Sequence, residues 1–349
     1  MKAHTQGILL LLILPLFAPD RAADAKDLGV IQPYLILGGT QGAMIEQFDE
    51  PDAVAFMNDG RLLAGDTLNG RFKIYTILED GLTIKTIGTP GKGDCQFDNS
   101  LVVVFESGRE IYNEVQGIAC NSKDEIYIVD QGNHRIQVFG SDGACLPGRS
   151  IDLSLFLVAP DPMDGTIYTS IQGLVIGHRD HIYLTDTGTR RVYKFQPDGR
   201  PDKSFDFQAK EDGKWILEDP ESMLIWDDML LVADEGHQVI KIFDRMSGRF
   251  TGKTIGHRDL FGGDVEGLAK FENYLFAVNE EFSGIAIFDL SKNGVPLIAQ
   301  FGEKGLTPGR FLSPDGLAIS KDGKYLVMAD QGNFRLQVFL LEPILDSLK

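Results

Sequence analysis

Two stretches decide the fold: Val129-Asp130-Gln131-Gly132-Asn133-His134-Arg135-Ile136-Gln137-Val138-Phe139, and further along Ala329-Asp330-Gln331-Gly332-Asn333-Phe334-Arg335-Leu336-Gln337-Val338-Phe339. They are one unit written twice. A run rich in strand-forming residues ends in Asp, a turn carrying Gly and Asn follows, and an alternating stretch closes on an aromatic residue. The alternation in Arg135 to Phe139 sends polar and apolar side chains to opposite faces of a strand. Gly and Asn suit the turn because they accept positive φ at little cost. The repeated Asp66, Asp130, Asp186, Asp234 and Asp330 are expected to cap that turn by hydrogen bonds.

Working outward, the unit recurs six times: Pro51 to Tyr75, Val115 to Phe139, Ile171 to Phe195, Pro220 to Phe243, Val265 to Phe288 and Pro314 to Phe339. The residues that end each second strand are 64, 56, 48, 45 and 51 positions apart, a spacing that suits four-stranded blades. A fourth strand ending at Gly follows several copies, as in Thr83 to Gly88, Lys253 to Gly256 and Leu297 to Gly302. The sixth copy lacks one, and Tyr34 to Gly38 can supply it. The pattern predicts an all-β, six-bladed β-propeller over residues 26–349, closed by an N-terminal strand that removes an open edge.

The opening of the chain differs from the rest. Lys2 and His4 precede the apolar run Ile8 to Phe17, and Ala23-Asp24-Ala25 offers a cleavage site. This predicts a signal peptide over residues 1–25, a mature start near Lys26 and a secreted or periplasmic protein. The run is too short to span a bilayer, and no later segment is long and apolar enough to do so. A net charge of −18 argues against nucleic acid as a partner. It suits hard cations such as calcium, and equally a solvated acidic surface. Of Cys95, Cys120 and Cys145, one pair is expected to form a disulfide in an oxidising compartment, with the pairing open.

The turns Asn133-His134-Arg135 and Asn333-Phe334-Arg335 give the unit its closest likeness to a known family. The grammar resembles the NHL repeat across nearly all of residues 30 to 341. That resemblance implies a six-bladed propeller and little about activity, since this architecture hosts binders, hydrolases and lyases alike.

In a propeller the innermost strands surround a channel. The aligned opening positions are Asp52, Gln116, Gln172, Glu221, Glu266 and Asp315, each followed by a small residue. If they face one axis, four carboxylates converge and repel unless a cation or raised pKa values relieve them. Calcium takes 6 to 8 oxygen ligands, so Asp52, Glu221, Glu235, Glu266 and Asp315 are candidate metal ligands. The same groups could instead cap turns and bond neighbouring blades.

Copies four to six carry a further likeness. Pro220-Glu221-Ser222 with Asp234-Glu235-Gly236, Val265-Glu266-Gly267 with Asn279-Glu280-Glu281, and Pro314-Asp315-Gly316 resemble the blades of β-propeller phytases. The resemblance covers roughly the C-terminal third of the chain and implies calcium-dependent phosphomonoester hydrolysis, with Glu266, Glu280 and Asp315 as candidate catalytic residues. The chain departs from that family by lacking its phosphate-binding Lys and Arg in the first two turns. Arg71 and Arg135 sit instead at the regular NHL arginine position, where inter-blade hydrogen bonding is expected.

Other chemistry is poorly supported. The six histidines form no metal-binding pair, although His134 and His237, read as lying in equivalent turns, could face a channel mouth. Trp215 and Trp226 are expected in the core. No nucleophile elbow, P-loop or dinucleotide fingerprint occurs. Two functional classes fit: a calcium-dependent, phytase-like hydrolase of a small phosphate ester, and a non-catalytic propeller that binds a protein or glycan on one face. A monomer is expected in both.

Overall fold

The computed structural model describes residues 25–99, 101–104, 110–112, 115–154 and 170–349, so the expected signal segment lies almost wholly outside the described residues. Six antiparallel sheets follow one another along the chain. Blade one is built from Val54–Phe56, Leu62–Asp66, Arg71–Leu78 and Gly81–Ile87. Blade two holds Val115–Cys120, Ile126–Asp130, Arg135–Phe139 and Ile151–Asp152. Blade three shows Ile171–Ile176, Ile182–Asp186 and Arg191–Phe195 among the described residues. Blade four is Pro220–Trp226, Met229–Asp234, Val239–Asp244 and Phe250–Ile255. Blade five is Val265–Phe271, Tyr274–Asn279, Gly284–Asp289 and Leu297–Phe301. Blade six is Pro314–Ile319, Tyr325–Asp330 and Arg335–Leu340, with Leu35–Gly38 on its outer edge.

Each blade alternates apolar residues into the layers between blades. Leu231, Ala233, Ile240 and Ile242 of blade four, for example, bury against Leu268, Leu275 and Ala277 of blade five. The chain closes where the repeat pattern lacks a strand. Leu35 pairs with Val338 and Leu37 with Leu336, both antiparallel, and Leu37 is buried against blades one and six. Ahead of it, Lys26–Asp27 adds a parallel strand to the outer edge of blade five, with Lys26 opposite Ala299. A helix, Leu341–Leu348, buries Leu341 and Ile344 against the layer between blades five and six. Lys26 Nζ donates to the Ser347 carbonyl, so the two ends of the fold touch. Replacing Leu37 with Ala should cost about 3 kcal/mol, as expected for a buried leucine, measured by urea unfolding. A loss below about 1 kcal/mol would show that the seam does not depend on this strand.

The turn after the second strand of blades one, two, four and six differs from the sequence expectation. It is one turn of 3₁₀ helix, Thr67–Asn69, Gln131–Asn133, Glu235–His237 or Gln331–Asn333. The left-handed residue comes after that turn, at Gly70, His134, Gln238 and Phe334, with φ between 48° and 58°. Gly132, Asn133, Gly332 and Asn333 therefore do not carry the positive φ. The aspartates do more than cap. Asp66, Asp130, Asp186 and Asp330 accept the backbone N–H of Asp49, Asp98, Ser170 and Leu312, each in the segment arriving from the preceding blade. Three of them also pair with the NHL arginine at 2.6–2.8 Å. The rest of each guanidinium ends on carbonyls of that same segment: Ala43 and Met44 for Arg71, Gly93 and Gln96 for Arg135, and Leu306, Thr307 and Arg310 for Arg335. Each Asp–Arg pair thus fastens one blade to the strand that enters from the last.

Cys95 and Cys145 form a disulfide that ties the segment entering blade two to the residues following its third strand. Cys120 stands on the opening strand as a free thiol, its pKa pushed up to about 12, chiefly by burial, which keeps it protonated and unreactive. Among the described residues no helix is long and apolar enough to cross a membrane.

Candidate metal centre

The opening strands are irregular where the aligned polar residues sit. In blades three to six the pairing with the second strand shifts register between Ile171 and Leu174, Pro220 and Met223, Val265 and Leu268, and Pro314 and Leu317. Gln172, Glu221, Glu266 and Asp315 lie inside these bulges. A bulge bends the strand and re-aims a side chain, which is how residues of successive blades reach a common centre. The following small residue is required by contact with the next blade. A Cβ on Gly267 would stand 2.5 Å from the Asp315 carbonyl oxygen, and one on Gly316 2.1 Å from that of Asp52. Ser222 serves as the small residue of blade four and donates its hydroxyl to the Glu266 carbonyl.

These strands enclose a cavity of about 330 Å³. Its wall contains all six aligned side chains, Asp52, Gln116, Gln172, Glu221, Glu266 and Asp315, together with Glu235 and Gln331 from the turns. The four aligned carboxylates named from sequence are therefore brought to one place. Asp52 is separated from the rest in partnership: its carboxyl hydrogen-bonds that of Asp315.

Two carboxylate triads carry the densest charge. Asp219, Glu221 and Glu235 of blade four, and Asp264, Glu266 and Glu280 of blade five, each bring three carboxylates within 4.8 Å of one another. The members occupy matching positions: two residues before the aligned residue, the aligned residue itself, and the first residue of the turn after the second strand. Asp264 joins the triads, since its carboxyl hydrogen-bonds both Glu235 and Glu280. Such carboxyl–carboxyl bonds need a proton between the oxygens, and a cation can take its place. Blade six offers Ser313, Asp315 and Gln331 at the same positions, and blade one Glu50, Asp52 and Thr67.

The electrostatics follow from this crowding. Burial, then the repulsion of neighbouring carboxylates, raises Glu221 and Glu266 well above the usual carboxylate range. The same causes push Glu235 up to about 8, and raise Glu280 with burial first and its bond to Asp264 next. Burial raises Asp315 against the opposing hydrogen bond from Asp52. The donor set is all oxygen, which fits calcium better than a metal that seeks nitrogen or sulfur.

Asp219 and Asp264 are functional candidates that the repeat alignment passed over. Both lie just outside the strands, and the signal for them was the Asp-x-Glu spacing shared by blades four and five. His134 and His237 do stand at equivalent turns, but His237 hydrogen-bonds Asp234 as Asn133 bonds Asp130. Neither histidine lines the cavity, which corrects the expectation that they face its mouth. Trp215 is also not in the core. It stands partly exposed on the short hairpin Lys210–Glu211 and Lys214–Trp215, with Lys210 Nζ 4.1 Å from its ring centre.

The fold is a six-bladed β-propeller, and residues 112–139 match the NHL repeat model. Among solved structures the chain is similar to a streptogramin B lyase, with a TM-score of 0.52 and 13% identity over 87% of this chain and 96% of that one. It is also similar to a catalytically inactive histidine-to-alanine variant of virginiamycin B lyase from Staphylococcus aureus with quinupristin, with a TM-score of 0.52 and 14% identity over 88% of this chain and 89% of that one. These likenesses are of fold. A search of the curated proteins finds no match.

Proposed function

We propose that the protein is an exported, calcium-dependent phosphomonoester hydrolase of the β-propeller phytase type. The observation that carries this reading is the pair of carboxylate triads in successive blades, joined through Asp264 beside a shared cavity. Asp219, Glu221 and Glu235 would hold one calcium, and Asp264, Glu266 and Glu280 a second. Calcium there supplies charge neutralisation for a phosphoryl group and acidifies a water. The remaining pair, Asp52 and Asp315, shares one hydrogen bond that Asp52 donates to Asp315, so the pair keeps a proton that can pass through Asp315 to a departing alkoxide. Export is supported by the Cys95–Cys145 disulfide and by the apolar N-terminal run.

Two features weigh against other enzymatic readings. Among the described residues the cavity wall contains no histidine, so the chemistry of a lyase inactivated by losing one has no counterpart among them. The same residues include no thiol or other strong nucleophile, which leaves an activated water. The test is hydrolysis of a set of phosphate monoesters with calcium and with chelator. Turnover should need calcium. Asp315→Asn should lower kcat about 100-fold, the usual worth of a general acid, with calcium affinity retained. Glu266→Gln should weaken calcium binding itself. Calcium binding without hydrolysis of any ester would favour the alternative of a propeller that binds a protein or glycan.

A further inference from the structure

The two sides of the cavity differ in chemistry. Blades four, five, six and one present carboxylates, while Gln116 and Gln172 of blades two and three, with Gln331 of blade six, present amides. Among the described residues, no lysine, arginine, histidine or aromatic side chain lines the wall. The nearby cations are held elsewhere. Arg71, Arg135 and Arg335 are bound to the buried aspartates and loop carbonyls described above. Lys73 pairs with Asp66 at 3.2 Å and Lys241 with Asp234 at 2.7 Å, all buried.

We infer that this cavity takes a phosphate monoester whose body is a neutral polyol of monosaccharide size, and rejects polyphosphorylated and aryl esters. The inference rests on the calcium-centre reading and specifies its substrate. Negative charge on the ligand can be met only where calcium sits, at the triads, so one phosphoryl group is accommodated. Every further phosphate would face carboxylates with no basic group to offset them. The wall formed by blades two and three is an amide surface of Gln116 and Gln172, and Gln331 adds one amide on the carboxylate side. A glutamine side chain both donates and accepts, which matches a hydroxyl and does nothing for a charge. Gln172 and Gln331 are half-buried, so their amides are held by the wall while still meeting the cavity. Among the described residues that wall carries no aromatic side chain, so it offers an aryl group or base no ring to stack on. A volume of about 330 Å³ is at the small end for ligand sites, which excludes a long glycan.

The experiment uses the full mature chain saturated with calcium and measures binding by calorimetry, with hydrolysis followed in parallel. The probes are inorganic phosphate, glucose 6-phosphate, phenyl phosphate and myo-inositol hexakisphosphate. Glucose 6-phosphate should bind at least tenfold more tightly than each of the others. Gln172→Leu should remove that advantage, leaving calcium and inorganic phosphate affinities within twofold of the wild type. Tighter or equal binding of the hexakisphosphate or phenyl ester overturns the inference. So does a preference for glucose 6-phosphate that survives that substitution, or no binding of glucose 6-phosphate. The underlying reading is judged separately. Calcium-dependent hydrolysis of any ester keeps it even if the polyol preference is absent, whereas failure to bind calcium removes both.

Discussion

In calcium-free buffer the melting temperature should fall as pH rises from about 5 to 8, and saturating calcium should abolish most of that fall. Glu221, Glu266, Glu235, Glu280 and Asp315 all titrate higher in the folded protein than in the unfolded chain. A raised folded pKa means that the native state holds protons that the unfolded state has lost. The stability from that difference is fully present below the unfolded value, about 4, and is lost as pH rises through the folded value. Glu235, pushed up to about 8, carries the window at least that far, and Glu221 and Glu266 are raised well above their usual range as well. Calcium replaces the missing protons and acts by mass action, contributing about 2.7 kcal/mol at a hundred times its dissociation constant. Thermal melts at several pH values, with chelator and with calcium, give the answer. A flat profile in chelator would mean that the carboxylates are relieved in some other way.

The second large effect belongs to the fold. Replacing Asp330 with Ala should cost about 3–5 kcal/mol, the loss expected when one partner of a buried charge pair is removed. Asp330 is fully buried and accepts from the Leu312 N–H, Asn333, Arg335 and Gln337. Its removal strands a guanidinium that is itself only 6% exposed. The same change at a surface aspartate such as Asp198 should be nearly silent, since exposed pairs contribute little. Urea unfolding of both variants checks the contrast, and equal losses would contradict the role given to the Asp–Arg pair.

Much of this architecture was legible because a propeller repeats its instructions. Aligning six copies exposed the ring positions and the missing sixth-blade strand, and the structure places both where strand pairing requires them. What escaped lay outside the repeated core. Asp219 and Asp264 sit in inter-blade segments, where no alternation marks a direction, so only their Asp-x-Glu spacing could have pointed to them. The position of positive φ escaped because a 3₁₀ turn delays it to the residue after Asn, where His134 and Phe334 stand instead of Gly. The disulfide could not be paired from spacing because Cys95 and Cys145 meet only once two loops of different length fold onto blade two. Trp215 was misjudged because a tryptophan is usually covered, and the hairpin that carries it extends outside the repeat unit.

The central claim is that the two triads hold calcium together. Calorimetric titration of the mature, chelator-treated protein tests it most directly. The account predicts about two calcium ions per chain, one lost in Glu221→Gln, one lost in Glu280→Gln, and weaker binding of both when Asp264, the residue shared between the triads, becomes Asn. No calcium uptake by the wild type, or uptake that all three substitutions leave unchanged, would contradict it.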